Sequence, residues 1–302
     1  MHKMFVCSAV AVCIIGLAIA RADAQVMNPA DAAKSSSAES KKQAIPETRY
    51  RSWEYPPIDV VAQRFEKLRE EDRIGSYEQP LWTATRRFTT TRVYIVPEGK
   101  MELEYWMRVT RNKDGSTDYR TLQEVEFGLP HRFQLDIYMR TDQEGANSTI
   151  THSQQIELRY AFADWGVIPG NPTLYLEWIR HEDEPDQLEP KLLLGGEIIP
   201  RWHWGLNLVD EFQLGGEKEA EYSARAGVSY AVIDSKFALG VEGEYHMTDT
   251  KGNRGDFEKF FVLGPSFQYR PFPQMTINFS PMFGITSDSP DSQTWFNLGW
   301  EF

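Results

Sequence analysis

The chain has 302 residues, with 32 Lys and Arg against 44 Asp and Glu, for a formal charge of −12. So acidic a balance argues against nucleic acid as a partner, because such binding depends on neutralising phosphates. Both cysteines, Cys7 and Cys13, fall in the first 24 residues. Beyond them there is no thiol for a disulfide framework, a thiolate metal site or a cysteine nucleophile.

Lys3 supplies a positive start, residues 5–20 form an uncharged apolar run, and Ala22-Asp23-Ala24 offers a small-x-small cleavage site. That layout predicts a secretory signal peptide over residues 1–24. Cys13 follows Val12 in the middle of the run, which does not suit lipid attachment. Removal of this segment takes away Lys3, Arg21 and Asp23, so 32 basic residues become 30, 44 acidic become 43, and the charge moves from −12 to −13.

Residues 25–57 are rich in Ala, Ser, Lys and Gln without an apolar period, as expected of a flexible lead-in. Ile58, Val61, Phe65 and Leu68 then recur at helical intervals among charged residues, which predicts one short amphipathic helix before Gly75. Its expected place is the periplasm, the barrel mouth, or the lumen as a partial plug. Residues 25–97 are read together as this lead-in.

From Glu98 the period becomes two. Met101, Leu103, Tyr105, Met107 and Val109 alternate with Glu102, Glu104, Trp106, Arg108 and Thr110. Successive side chains of a strand point to opposite faces, so one face is apolar and the other charged. The alternation recurs to the end of the chain. It predicts strands over 99–110, 119–128, 131–141, 150–162, 172–181, 189–199, 201–214, 219–231, 236–248, 258–270, 273–285 and 292–302, most long enough to cross a bilayer when tilted. Connections sort into tight turns marked by Pro or Gly, such as Gly128-Leu129-Pro130 and Pro271-Phe272-Pro273, and longer polar loops, such as residues 141–151 and 248–255. Short periplasmic turns alternating with longer outer loops are typical of outer-membrane barrels. The fold class expected is all-β: a transmembrane antiparallel up-and-down barrel of about twelve strands over residues 98–302. A mean hydropathy of −0.49 is no bar, since alternation averages out. The last strand ends in Trp300 and Phe302 on its apolar face. These two are the expected signal to the outer-membrane assembly machinery, and the bilayer and small solutes are the remaining expected partners.

If the apolar face meets lipid, the other lines a lumen. The expected lining is Glu102, Glu104, Arg108, Glu124, Glu126, Arg132, Asp136, Arg140, Glu157, Arg159, Glu177, Glu197, Arg225, Glu242 and Glu244. Two uses of such charges compete: a cross-barrel ion-pair mesh that fills the interior, and a polar track that favours cations. Trp106 and Trp295 fall on the same inward face, where they fill space or stack on a solute.

Enzymatic readings are weak. His152 and Ser153 are neighbours and point to opposite faces of a strand; His246 and Thr248 share a face without a third partner. The six histidines make no metal spacing. No cofactor, metal or catalytic residue is expected. A membrane-embedded hydrolase and a non-conducting structural or surface-interaction barrel are the alternatives to a channel.

Residues 93–105, Val-Tyr-Ile-Val-Pro-Glu-Gly-Lys-Met-Glu-Leu-Glu-Tyr, and residues 126–135, Glu-Phe-Gly-Leu-Pro-His-Arg-Phe-Gln-Leu, carry a further signal. With the C-terminal strand they resemble the first strand and a short-turn hairpin of the outer-membrane transporter family named for the meta-cleavage pathway of phenol degradation. The resemblance implies a barrel of about twelve strands and a channel role for small solutes, aromatic or apolar ones among them. The helix near residue 58 and the acidic lumen are not matched to that family.

Overall fold

The computed structural model describes residues 67–145, 148–182, 184–216, 219–250 and 254–302. The expected signal peptide, the lead-in up to residue 66 and most of the expected amphipathic helix lie outside the described residues.

Twelve antiparallel strands close into a barrel. They are β1 (Met101–Arg111), β2 (Thr117–Leu129), β3 (Phe133–Glu144), β4 (Ile150–Ala161), β5 (Thr173–His181) and β6 (Gln187–Ile199). The second half comprises β7 (Trp202–Gln213), β8 (Ala220–Ile233), β9 (Phe237–Asp249), β10 (Glu258–Tyr269), β11 (Met275–Gly284) and β12 (Ser292–Glu301). Each pairs with its chain neighbour, and β12 closes on β1, with Trp300 opposite Leu103 and Glu301 opposite Glu102. Closure leaves no free edge, so every strand has ladder partners on both sides without help from water. Every expected strand is present, with ends displaced by at most a few residues.

The alternation is met throughout. Leu103, Tyr105, Ile137, Met139, Ile156, Leu158, Leu174, Leu176, Val241, Phe279 and Phe283 face outward and are exposed, whereas Glu102, Glu104, Glu126, Asp136, Glu157, Glu242 and Glu244 face inward and are buried. In water a continuous apolar outer surface of this extent drives association; against acyl chains it is the stable arrangement. Trp178, Trp202 and Trp300 are exposed on the outer face, and Phe302 closes the chain with its N–H donating to the Met101 carbonyl at 2.8 Å.

The turns reflect local chemistry. Between β2 and β3, residues 130–132 form a tight turn in which His131 and Arg132 adopt positive φ of 61° and 65°. The connection between β4 and β5 is the longest of the short-turn class, and Trp165 within it packs against the segment described next.

Residues ahead of β1 do not stop at the barrel mouth. A 3-10 turn (Arg69–Glu71), a two-residue ladder pairing Arg73–Ile74 with Gln79–Pro80, and one helical turn α1 (Leu81–Ala84) lead into an irregular stretch, residues 85–97. From Trp82 to Val96 this stretch is buried, and its partners are inward side chains of the barrel.

Candidate functional site

Residues 81–97 occupy the short-turn half of the barrel lumen as a hairpin. Three levels of contact hold it. At the rim, Asp234 in the β8–β9 turn accepts the Arg69 and Glu70 N–H groups at 2.7 and 3.0 Å, capping the 3-10 turn. The Trp82 indole donates to Glu197 at 2.9 Å, and the Trp165 ring meets Trp82 and Tyr94 edge-on at 5.6 and 5.2 Å. The Tyr94 hydroxyl donates to the Ala163 carbonyl at 2.6 Å. Burial, then the Asp164 carboxylate, pushes that hydroxyl well above the usual tyrosine range, so it remains a donor.

Higher up, the backbone of the hairpin has no strand to pair with, so barrel side chains supply its hydrogen bonds. Asn207 donates to the Arg92 carbonyl at 2.7 Å and accepts the Arg92 N–H at 2.9 Å, standing in for a strand partner. Glu242 accepts the N–H groups of Thr89 and Thr90 at 2.9 and 2.8 Å. Gln134 accepts from Val96, and Gln268 and Asn278 donate to the Arg86 carbonyl. Buried backbone groups left unpaired cost free energy, and here five strands contribute to satisfying them.

Charge forms the third level. Arg86 lies 3.0 Å from Glu104 and 3.8 Å from Glu126. Arg92 bonds Glu126 and lies 3.5 Å from Glu102. Arg159, on β4, bonds Glu157 and sits 3.0 Å from Asp136 and 3.9 Å from Glu124. Glu70 and Arg87, both ahead of the barrel, pair with each other at 2.7 Å beside His203. Carboxylates buried at this depth survive by such pairing. Glu104, Glu124 and Glu126, and likewise Glu124, Asp136 and Glu157, bring ligand atoms within 4.8 Å of one another. These groups have the donor set for a hard cation, and Arg86, Arg92 and Arg159 already lie against them.

Shape completes the seat. Gly195, Gly205 and Gly227 face inward on β6, β7 and β8. A methyl at Gly195 would lie 2.6 Å from Val93, one at Gly205 2.7 Å from Val93, and one at Gly227 2.6 Å from Phe88. The wall therefore carries a groove into which Phe88 and Val93 are set, and Phe88 has no exposure at all.

Above the hairpin the lumen is open. A cavity of about 510 Å³ has Arg86, Thr90 and Arg92 at its floor and reaches the long-loop end, where Glu144, His181 and Glu184 line it. Its walls differ in charge balance. Arg108, Arg120 and Arg140 project from β1, β2 and β3; Glu177, Glu189, Glu211 and Glu221 project from β5 to β8 on the opposite arc. Lys191 pairs with Glu177 and Glu189, and Arg225 with Glu244 at 2.7 Å. A third sector is apolar: Trp106, Val262, Met282 and Trp295 cluster, with Leu122 and Phe260 against them.

Of the expected lumen residues, Glu102, Glu104, Glu124, Glu126, Asp136, Glu157 and Arg159 come together around Arg86 and Arg92. Glu242 meets the hairpin backbone. Arg108, Arg140, Glu177 and Arg225 line the open cavity, and Glu244 stands beside Arg225. Glu197 sits at the rim, where the β6–β7 ladder shifts register. Arg132 is a correction. It lies in the tight turn ahead of β3, where its guanidinium donates to the Ala161 carbonyl at 3.1 Å and to Asp164 at 3.2 Å. The alternation begins at Phe133, so extending it one residue back placed Arg132 in the lumen wrongly. His246, weighed above as a base, has its two ring nitrogens 2.6 and 2.7 Å from the carboxylates of Glu221 and Glu244 and stacks on Phe260.

Sequence reasoning missed Arg86, Arg87, Phe88 and Arg92. A cue was present: inward positions held by Gly195, Gly205 and Gly227 leave part of one arc without side chains, so something else must fill it.

Among solved structures, the COG4313 outer membrane channel from Pseudomonas putida F1 superposes with a TM-score of 0.53 at 8% identity, covering 70% of this chain and 98% of that one. The fold is that of a bacterial outer-membrane β-barrel. The NanC porin covers 67% of this chain and 98% of its own at 12% identity and TM-score 0.46, and the KdgM porin in complex with disordered oligogalacturonate matches at 11% identity and 0.44. No family model and no curated protein matches the chain, so the resemblance drawn from residues 93–105 and 126–135 rests on those residues. A closed barrel with this outer belt and fold belongs in the bacterial outer membrane.

Proposed function

We infer that the protein is an outer-membrane channel for small solutes whose lumen is closed, in the conformation described, by the hairpin of residues 81–97. The observation that carries this reading is the division of one lumen into a polar cavity at one end and a segment from ahead of the barrel packed into the other. The hairpin enters and leaves by the same mouth, and its contacts to the wall are hydrogen bonds, ion pairs and two apolar seats. Residues 98–302 act as the channel and the residues before them as its periplasmic lead-in and plug. The turns then face the periplasm and the longer loops the outside.

Displacing the hairpin removes Arg86 and Arg92 from Glu102, Glu104 and Glu126, and its N–H groups from Glu242. The open lumen is thereby left with a belt of uncompensated carboxylates, which favours cations. A cation-leaning pore is thus a property of the opened channel. The test is single-channel conductance in planar bilayers for the intact protein and for a variant lacking residues 81–97, with reversal potentials in a salt gradient. Larger unitary conductance and a cation-selective reversal potential are expected on deletion. Silence in both proteins makes this a non-conducting barrel, and anion selectivity after deletion overturns the acidic-lumen reading.

A further inference from the structure

We propose that the cavity above the hairpin is a binding site for an amphipathic monocarboxylate, whose carboxylate docks at Arg108 between Arg120 and Arg140 while its compact apolar body lies against Trp106 and Trp295. The proposal rests on reading the lumen as a solute path and adds the solute's chemistry.

Charge count is the first ground. Arg120 and Arg140 both bond a single carboxylate, Asp142. Arg108 has no ion-pair partner among the described residues. Its guanidinium instead lies over the Trp295 ring, 5.3 Å from the centroid. Within bonding distance these three guanidinium groups on adjacent strands share one anion, while Glu244 and Glu211 act on them from farther off, and a second bound carboxylate relieves their remaining mutual repulsion. Stacking on an indole face leaves the in-plane N–H fork of an arginine free, and that fork matches a carboxylate bidentately.

The second ground is independent of charge. Trp106 and Trp295 meet edge-on at 6.0 Å beside Arg108 and are mostly buried, with Arg86 over the Trp106 ring at 3.8 Å, so each offers the cavity only an apolar rim. Apolar surface of this kind is stabilised when a ligand covers it, and a few polar groups at its margin fix orientation. The volume of about 510 Å³ accommodates a small organic acid. The opposite wall carries Glu177, Glu189, Glu211 and Glu221 with fewer cationic groups, Lys191 and Arg225, among them, a balance that disfavours a second negative group.

Isothermal titration of the full-length detergent-solubilised barrel with phenylacetate, acetate and 2-phenylethanol separates the two contributions. Phenylacetate is expected to bind saturably, with acetate and 2-phenylethanol each about tenfold weaker or worse. Arg108→Gln is expected to weaken phenylacetate by about tenfold and leave 2-phenylethanol unchanged, with Arg108→Lys intermediate. Folding of each variant is checked by heat-modifiable migration. Equal phenylacetate affinity in Arg108→Gln, or 2-phenylethanol as tight as phenylacetate, overturns the site. Binding needs no conduction: a barrel that binds phenylacetate but passes no current defeats the channel and keeps the site, whereas one that conducts without binding defeats the site alone.

Discussion

The two halves of the lumen solve one problem in opposite ways. Both are lined by inward residues of the same twelve strands and both carry several charges. In the short-turn half, arginines and backbone N–H groups from outside the wall are brought to the carboxylates, and little space remains. In the long-loop half, the charges pair along the wall, with arginines in excess on the β1–β3 arc and carboxylates in excess on the β5–β8 arc, and the space between them stays open. The lesson is that a polar lining does not by itself define a pore. Where an inserted segment brings the counter-charges, the lumen becomes a packed core; where the wall supplies its own, with each sign in excess on one arc, a cavity remains with a field across it.

This contrast can be broken most severely from the filled half. Arg92→Ala leaves Glu126 and Glu102 without their nearest counter-charge, and a broken buried pair costs about 3–5 kcal/mol. The expected outcome is loss of hydrogen-exchange protection at residues 85–96, with protection in the β-strands retained. Gly227→Val forces a side chain into the space of Phe88; overpacking of this kind costs about 1–3 kcal/mol. It should raise channel activity in bilayers without altering heat-modifiable migration. Asp234→Ala removes the acceptor of the Arg69 and Glu70 N–H groups, a loss of about 1 kcal/mol, expected to increase proteolytic cleavage near residues 69–72 and to leave β9 untouched. In the open half, Glu221→Gln should shift the reversal potential by a few millivolts at most and leave hairpin protection at the wild-type level. If Glu221→Gln loosened the hairpin as Arg92→Ala does, the two halves would not be separable.

A smaller effect sharpens the rim. Burial, then the Glu197 and Glu70 carboxylates, raises the Glu71 pKa above its ordinary value. The folded state therefore holds that proton more tightly than the unfolded chain, and stability falls as pH rises past the ordinary carboxylate range. Glu71→Gln should raise the melting temperature slightly at neutral pH and not at all at low pH, where the carboxyl is already protonated.

The barrel was legible because its rule is local. In β1, five residues on one parity meet lipid and the alternating ones meet the lumen, and a strand needs only its own alternation to declare this. The hairpin was far less legible because its order is borrowed. Thr85 to Arg92 have no period of their own; the backbone of Arg86 meets Gln268 and Asn278, that of Thr89 and Thr90 meets Glu242, and that of Arg92 meets Asn207, on four different strands. Arg132 failed for a related reason, since a turn with two consecutive positive φ values resets the parity that a strand carries. The arginine and carboxylate arcs of the open cavity depend on which strands neighbour one another around the closed sheet, and no single strand contains that information.

One further consequence follows from the hairpin's route. Because it goes in and comes out through one mouth, it is topologically unlinked from the wall: no terminus has to be threaded through the closed sheet. The wall can complete its seam first and receive the loop afterwards. A pull on the chain ahead of residue 69 would then strip the contacts one after another, as a zipper opens, instead of breaking them all at once. A tether on that side of the membrane could draw out the stopper while the cylinder stays whole.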